Sequence, residues 1–113
     1  MKIYISAPYP TRDDAIKVMH HLESLGHEVT SRWLKAPDEL SDAYAREDLA
    51  DVARADLLLA LNGPEWANAG TGGRHVELGY ALCMGKQVVL VGARTNIFHY
   101  LDCIRVIERL EGL

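Results

Sequence analysis

An excess of positive charge, long apolar runs and paired cysteines are all missing from this chain of 113 residues. Twelve Lys and Arg against sixteen Asp and Glu leave a net charge of −4, which argues against a nucleic-acid polymer as partner. No apolar stretch approaches the roughly 20 residues of a membrane span, and the N-terminus lacks a signal-peptide pattern. Neither a membrane nor an export route is therefore expected. The two cysteines, Cys83 and Cys103, have no metal-ligand spacing, so they read as packed, reduced thiols of a cytoplasmic protein. The five histidines are scattered without an H-x-x-x-H pair, His20-His21 reads as a surface feature, and no metal or other cofactor is expected. A dinucleotide fingerprint of the G-x-G-x-x-G kind is also absent.

What is present is a regular alternation. Lys2 to Ala7 is short, apolar and β-branched, and it ends at Pro8, as a buried first strand would. Thr11 is placed to cap a helix with Asp13 and Asp14 in its first turn. Ala15, Val18, Met19, Leu22 and Leu25 form its apolar face, and Gly26 ends it. His27 to Trp33 predicts a second strand, and Ser41 caps a second helix running to about Arg54. On that helix Ala45, Leu49, Val52 and Ala53 make a narrow stripe, while Asp42, Glu47, Asp48 and Asp51 supply much of the remaining surface. Asp56 to Leu61 and Gln87 to Val91 are continuous apolar runs, the mark of strands covered on both faces. Between them Asn62-Gly63-Pro64 is a turn, and a third helix spans about Arg74 to Met84. The segment 93–100 is a loop with a short helix. For the tail two readings stand: an edge strand at Ile104 to Ile107 with a last helical turn, or helix throughout.

Strands alternating with helices predict a single α/β domain over 1–113, a flavodoxin- or Rossmann-like three-layer sandwich on a mostly parallel sheet of four to five strands. Ligands of such sheets sit outside the carboxyl ends of the strands. Here those ends are Ser6-Ala7-Pro8, Asn62-Gly63 and Gly92-Ala93. The helix after the third strand opens at the same edge with Thr71-Gly72-Gly73-Arg74, followed by Glu77. Free N–H groups and a positive dipole end suit an anion there, and the same dipole favours an ionised Glu77. Read locally, the segment is either an anion cradle beside a working carboxylate or a plain turn with a solvated glutamate.

Three pieces in order carry a resemblance. They are Ile3-Tyr4-Ile5-Ser6-Ala7-Pro8, Asp48 with Ala55-Asp56-Leu57, and Glu77-Leu78-Gly79-Tyr80-Ala81 followed by Gly85-Lys86. Together they resemble the nucleoside 2-deoxyribosyltransferase superfamily, which includes 2′-deoxynucleoside 5′-monophosphate N-glycosidases, over residues 3 to about 91. The resemblance implies that Glu77 is a nucleophile that forms a glycosyl-enzyme ester. It implies that Tyr4 orients Glu77, although Tyr4 also reads as an ordinary core tyrosine, and that Asp48 contacts the base or aids its protonation. Asp56 reads as structural, a cap or turn ligand.

Six positions before the glutamate the transferases carry an aspartate and the monophosphate hydrolases a serine, so Thr71 leans towards a nucleotide. Gly72, Gly73 and Arg74 would add phosphate donors, though Arg74 reads equally as a surface residue. The hydrolases place serine and arginine just after the first strand, where this chain has Pro8 and Pro10, and Arg12 or Arg32 is the substitute on offer. Ser6, Ala7, Pro8 and Asn62 complete the expected binding edge. Trp33, Trp66 and Tyr9 are candidates to stack on a base. Family members form dimers or higher oligomers with shared sites, so a homo-oligomer is expected, with His99 and Asn96 completing a neighbour's site.

The expected activity is cleavage of the N-glycosidic bond of a (deoxy)nucleoside 5′-monophosphate, a small molecule. Its alternatives are a base-exchanging nucleoside 2-deoxyribosyltransferase and a non-catalytic nucleotide-binding module. A dinucleotide glycohydrolase ranks below these.

Overall fold

In the computed structural model, which describes residues 1–63 and 69–113, five strands form one sheet in which every pairing is parallel. The strands are β1 (Lys2–Ser6), β2 (Glu28–Val29), β3 (Leu57–Asn62), β4 (Gln87–Gly92) and β5 (Ile104–Ile107), in the spatial order β2-β1-β3-β4-β5. This is the order of flavodoxin-like sheets, whose switch point lies between β1 and β3. The helices are α1 (Arg12–Ser24), α2 (Asp42–Arg54) and α3 (Gly73–Cys83). The chain steps outward from β1 to β2 and returns past β1 to β3. Right-handed crossovers therefore put α1 on one face and α2 and α3 on the other, where the latter two pack together.

β3 is buried along its whole length, as its unbroken apolar run requires in a sheet covered on both faces. Along β1 the side chains alternate, so Ile3 and Ile5 share one face while Tyr4 and Ser6 turn towards α3. The tail resolves to the first of its two readings, an edge strand followed by a 3-10 turn at Leu110–Gly112.

Four local expectations are corrected. Thr11 occupies the residue before α1, but its hydroxyl donates to the Pro8 carbonyl at 2.7 Å and no helix amide is capped by it. The second strand is two residues long instead of seven, because side chains take over the ladder. The Ile5 N–H donates to Ser31 Oγ at 2.7 Å and the Trp33 indole N–H to the Ile5 carbonyl at 2.9 Å, while Trp33 sits in a 3-10 turn, Arg32–Lys35. Both thiols, Cys83 and Cys103, are free and exposed, not packed. Asp51, read as surface, is fully buried. By contrast Ser41 caps α2 through Tyr44 N–H, and Asp56 plays a structural part by accepting from Lys2 N–H at 2.9 Å. Pro64 and Trp66 lie outside the described residues.

Gly92 closes β4 at φ +116°, and a Cβ there would lie 2.3 Å from the Asn62 carbonyl oxygen. No residue with a side chain fits without moving that backbone. Gly92→Ala is expected to cost about 1–3 kcal/mol of stability and several degrees of melting temperature. An unchanged thermal midpoint would show that the β3 and β4 ends have room to part.

Candidate active site

At the switch point the first strand and the third helix meet through one carboxylate. The Tyr4 hydroxyl donates to Glu77 Oε2 at 2.6 Å, and the Ser6 hydroxyl donates to Oε1 at 2.8 Å. Two residues on one face of β1 thus hold both oxygens of a side chain projected from α3. Glu77 is neither solvated nor kept acidic by the helix dipole, as the local pattern had suggested. Burial pushes its pKa up to about 7, against the two hydroxyl donors, which pull it down, while Asp48 adds a smaller upward push. Tyr4, itself fully buried, has its own pKa pushed up, first by burial and then by the charge of Glu77. It therefore stays a proton donor across the working range.

Above Glu77 opens a cavity of about 360 Å³. Of the expected contacts, Ala7, Pro8, Trp33, Asp48, Thr71, Gly72, Gly73 and Arg74 line it together with Glu77. Gly72 precedes α3 at φ +94° and offers no capping side chain, so the first amides of the helix are not claimed by a cap. Asp48 is half-buried, and burial together with its neighbours Asp51 and Glu47 pushes its pKa up to about 6. At neutral pH it is a carboxyl close to its own titration point, able to share a proton with a base.

Two expected contacts are placed elsewhere among the described residues. Ser6 turns to Glu77, not to the cavity. Asn62 accepts from Arg74 Nη1 at 2.9 Å and donates to the Ala93 carbonyl and Thr95 Oγ1, so it orients Arg74 and the loop after β4. Neither substitute arginine lines the cavity. Arg12 donates to Tyr9 Oη and the Ala36 carbonyl, and Arg32 is spent on Asp51 and Glu47. His99 is buried in its own chain, where Nδ1 accepts from Thr95 N–H, and Asn96 caps the 3-10 turn Ile97–Tyr100.

The sequence reading missed the wall made by Ala36 to Leu40 and Tyr44. The signal was available, since a loop leaving β2 at its carboxyl end must flank the switch point. Tyr9, a stacking candidate, lines the cavity with its ring centroid 6.0 Å from that of Trp33.

Tyr4→Phe removes one donor and leaves the ring in place. If Glu77 is the working carboxylate, its ionisation moves to higher pH and turnover near pH 7 falls about 10- to 100-fold, with a smaller loss at pH 9. A loss equal at all pH values would separate Tyr4 from the ionisation of Glu77.

No family model matches the sequence, and no curated protein sequence matches it. Solved structures do. A CMP N-glycosidase from Clostridium botulinum aligns with a TM-score of 0.68 and 22% identity, covering 95% of this chain and 87% of that one. A 2-deoxyribosyltransferase from Leishmania mexicana aligns with a TM-score of 0.58 and 17% identity, covering 82% of this chain and 65% of that longer one. Both likenesses are to members of the nucleoside 2-deoxyribosyltransferase superfamily, and what this chain shares with them is the fold.

Proposed function

We propose that this protein, a single catalytic domain over its 113 residues, is an N-glycosidase that cleaves a (deoxy)nucleoside 5′-monophosphate through a covalent glycosyl-Glu77 intermediate. The observation that carries the reading is the Glu77 carboxylate, gripped on both oxygens by Tyr4 and Ser6 at the inner wall of a nucleoside-sized cavity. A buried carboxylate that ionises near pH 7 suits attack on an anomeric carbon. It keeps little hydration to shed, and its charge stabilises the oxocarbenium-like transition state.

In the first step Glu77 attacks C1′, the C1′–O bond forms and the C1′–N bond breaks with its electron pair going to the base. Asp48, placed in the cavity with a raised pKa, hydrogen-bonds or protonates that base. Water then attacks C1′, giving a proton to Asp48, and the C1′–O bond to Glu77 breaks with its electron pair returning to the carboxylate, releasing the sugar with net retention. The Tyr9 and Trp33 rings supply the apolar wall for the base. Thr71, the Gly72-Gly73 amides and Arg74 provide donors for a 5′-phosphate. The solved structure of a CMP N-glycosidase on the same fold supports the monophosphate.

A second reading has its own support. Asp38, Glu39, Asp48 and Glu77 line the cavity with Arg74 as the cation among the described lining residues, an electrostatic balance that favours an uncharged nucleoside. The structure of a 2-deoxyribosyltransferase also shares the fold, so transfer to a second base is the competing outcome. We propose a small-molecule substrate with no bound cofactor, a cytoplasmic setting and a homo-oligomeric state.

The deciding experiment offers the purified protein a panel of deoxynucleosides, ribonucleosides and their 5′-monophosphates, with and without a second free base, and separates the products chromatographically. Base released from the monophosphates alone establishes the hydrolase. A new nucleoside formed only with acceptor base establishes the transferase and removes the phosphate role from Thr71. Binding without turnover in any mixture, unaffected by Glu77→Gln, would leave a nucleotide-binding module.

A further inference from the structure

We propose that Ser6 is a positioning residue for Glu77, a hydroxyl that holds the carboxylate for attack and finds a second acceptor in the Arg74 carbonyl when Glu77 becomes an ester. The inference rests on the nucleophile reading above and assigns Ser6 a task different from the substrate contact its place in the sequence had implied.

The geometry is built from both sides. Ser6 ends β1 in register with Ala60 of β3, and the residue before it is fixed by Ser31 Oγ on its N–H and by the Trp33 indole on its carbonyl. Ser6 itself is 1% exposed, so its hydroxyl has little choice of partner. Two acceptors lie within reach: Glu77 Oε1 at 2.8 Å and the Arg74 carbonyl, one turn earlier on α3, at 3.4 Å. Its bond to the first is charge-assisted, so an ionised Glu77 wins the hydroxyl. Ester formation removes that charge as the C1′–O bond forms and the electron pair of the C1′–N bond leaves with the base. The uncharged ester oxygens are weaker acceptors than the carboxylate, so the Ser6 hydroxyl loses the charge-assisted part of its bond. Ser6 instead passes to the Arg74 carbonyl, and it returns when water restores the carboxylate. Tyr4, on the other oxygen, has a single side-chain hydrogen bond among the described residues, to Glu77.

The test uses Ser6→Ala and Ser6→Cys, the second filling almost the same space with a weak donor. Two readouts are needed: the Glu77 side-chain carboxyl carbon titrated by NMR in the free protein, and kcat/KM against pH with the best substrate of the panel. The proposal expects the Glu77 midpoint and the acid limb of the rate profile to move to higher pH in both variants. It also expects kcat/KM near pH 6.5 to fall about tenfold or more relative to wild type, with the ratio to wild type recovering towards pH 9 and KM unchanged. An unmoved Glu77 midpoint in both variants overturns it, and so does a rise in KM with kcat unchanged, which would restore Ser6 to the substrate. If the midpoint moves while the wild-type protein releases no base from any substrate, the positioning role stands and the N-glycosidase reading falls.

Discussion

Replacing Glu77 by Gln is expected to lower turnover by about 10³-fold or more while substrate binding survives. The amide keeps the shape of the carboxyl group but cannot form the ester, and the wall of cavity residues is untouched. The same substitution carries a second, opposite signature. With its pKa raised to about 7 in the folded protein from an ordinary 4.5, Glu77 binds its proton more tightly folded than unfolded. The native state therefore loses stability as pH rises from about 4.5 to about 7, and above that the full cost of the buried charge is present. The neutral amide escapes this cost, so Glu77→Gln is expected to be more stable than wild type at pH 8, by up to about 3 kcal/mol, and nearly equal to it at pH 4. Single-turnover kinetics and thermal melts at the two pH values check both halves. Near wild-type rates in the mutant would end the nucleophile assignment, whatever the melts show.

The ionisation of Glu77 also sets the expected pH profile of the wild-type enzyme. Because the nucleophile works as the anion, protonation of Glu77 lowers kcat/KM on the acid side, and with Asp48 needed protonated the maximum lies between about 6 and about 7. Asp48, pushed to about 6, is needed in its protonated or hydrogen-bonding form, so activity declines again on the alkaline side. A rate that is flat from pH 5 to 9 would contradict both assignments.

The second large effect concerns stability and comes from a residue outside the site. Asp51 on α2 is fully buried and accepts from the Arg32 N–H at 3.0 Å, from the Arg32 guanidinium at 2.8 Å and from Arg54 at 3.0 Å. Its own carbonyl accepts from Thr30 Oγ1 at 2.9 Å, so the turn after β2 is tied to α2 at several points. Burial alone would raise the Asp51 pKa. The hydrogen bonds from Arg32 and Arg54 outweigh burial and hold it below the ordinary carboxylate range. Its contribution to stability is therefore present above the unfolded pKa and lost as pH falls through the lower, folded value.

Removing one partner of a buried ion pair costs about 3–5 kcal/mol when the other charge is left stranded. Here the Arg32 and Arg54 side chains are 55% and 45% exposed and can regain water, which lowers the cost. Asp51→Ala is expected to lose about 2–4 kcal/mol, or roughly 8–16 °C in melting temperature. Activity should fall with it, because Asp48 stands one turn away on the same helix and depends on that anchor for its place in the cavity. A melting temperature within 2 °C of wild type would mean that α2 is held by its apolar stripe alone.

Strand and helix identity came from patterns that a single segment carries. The apolar runs of β3 and β4, the Ser41 cap and the α1 face from Ala15 to Leu22 needed no partner to be read, because burial on both faces or on one stripe leaves its period in the sequence. Leu25, by contrast, lies past the helix end and is exposed. The parallel α/β order placed the Glu77 helix start at the carboxyl edge of the strands, while its pairing with Tyr4 was legible through the family resemblance and not from the pattern.

Tertiary structure decided what depends on neighbours 19 to 71 residues away. That Asp51 is a buried anchor and not surface follows from Arg32 meeting it across the fold, and a helical pattern holds no trace of that. β2 stops after two residues because Ser31 and Trp33 take its place beside β1, a substitution of side chains for ladder bonds. Ser6 faces Glu77 and is not among the cavity-lining residues, and burial pushes the Glu77 pKa up to about 7. For Glu77 the local helix dipole is a weak effect, falling off within a turn, and burial among distant residues outweighs it. Sequence periodicity records which side of an element is covered; the partner that covers it, and so the chemistry of the group, exists only after folding.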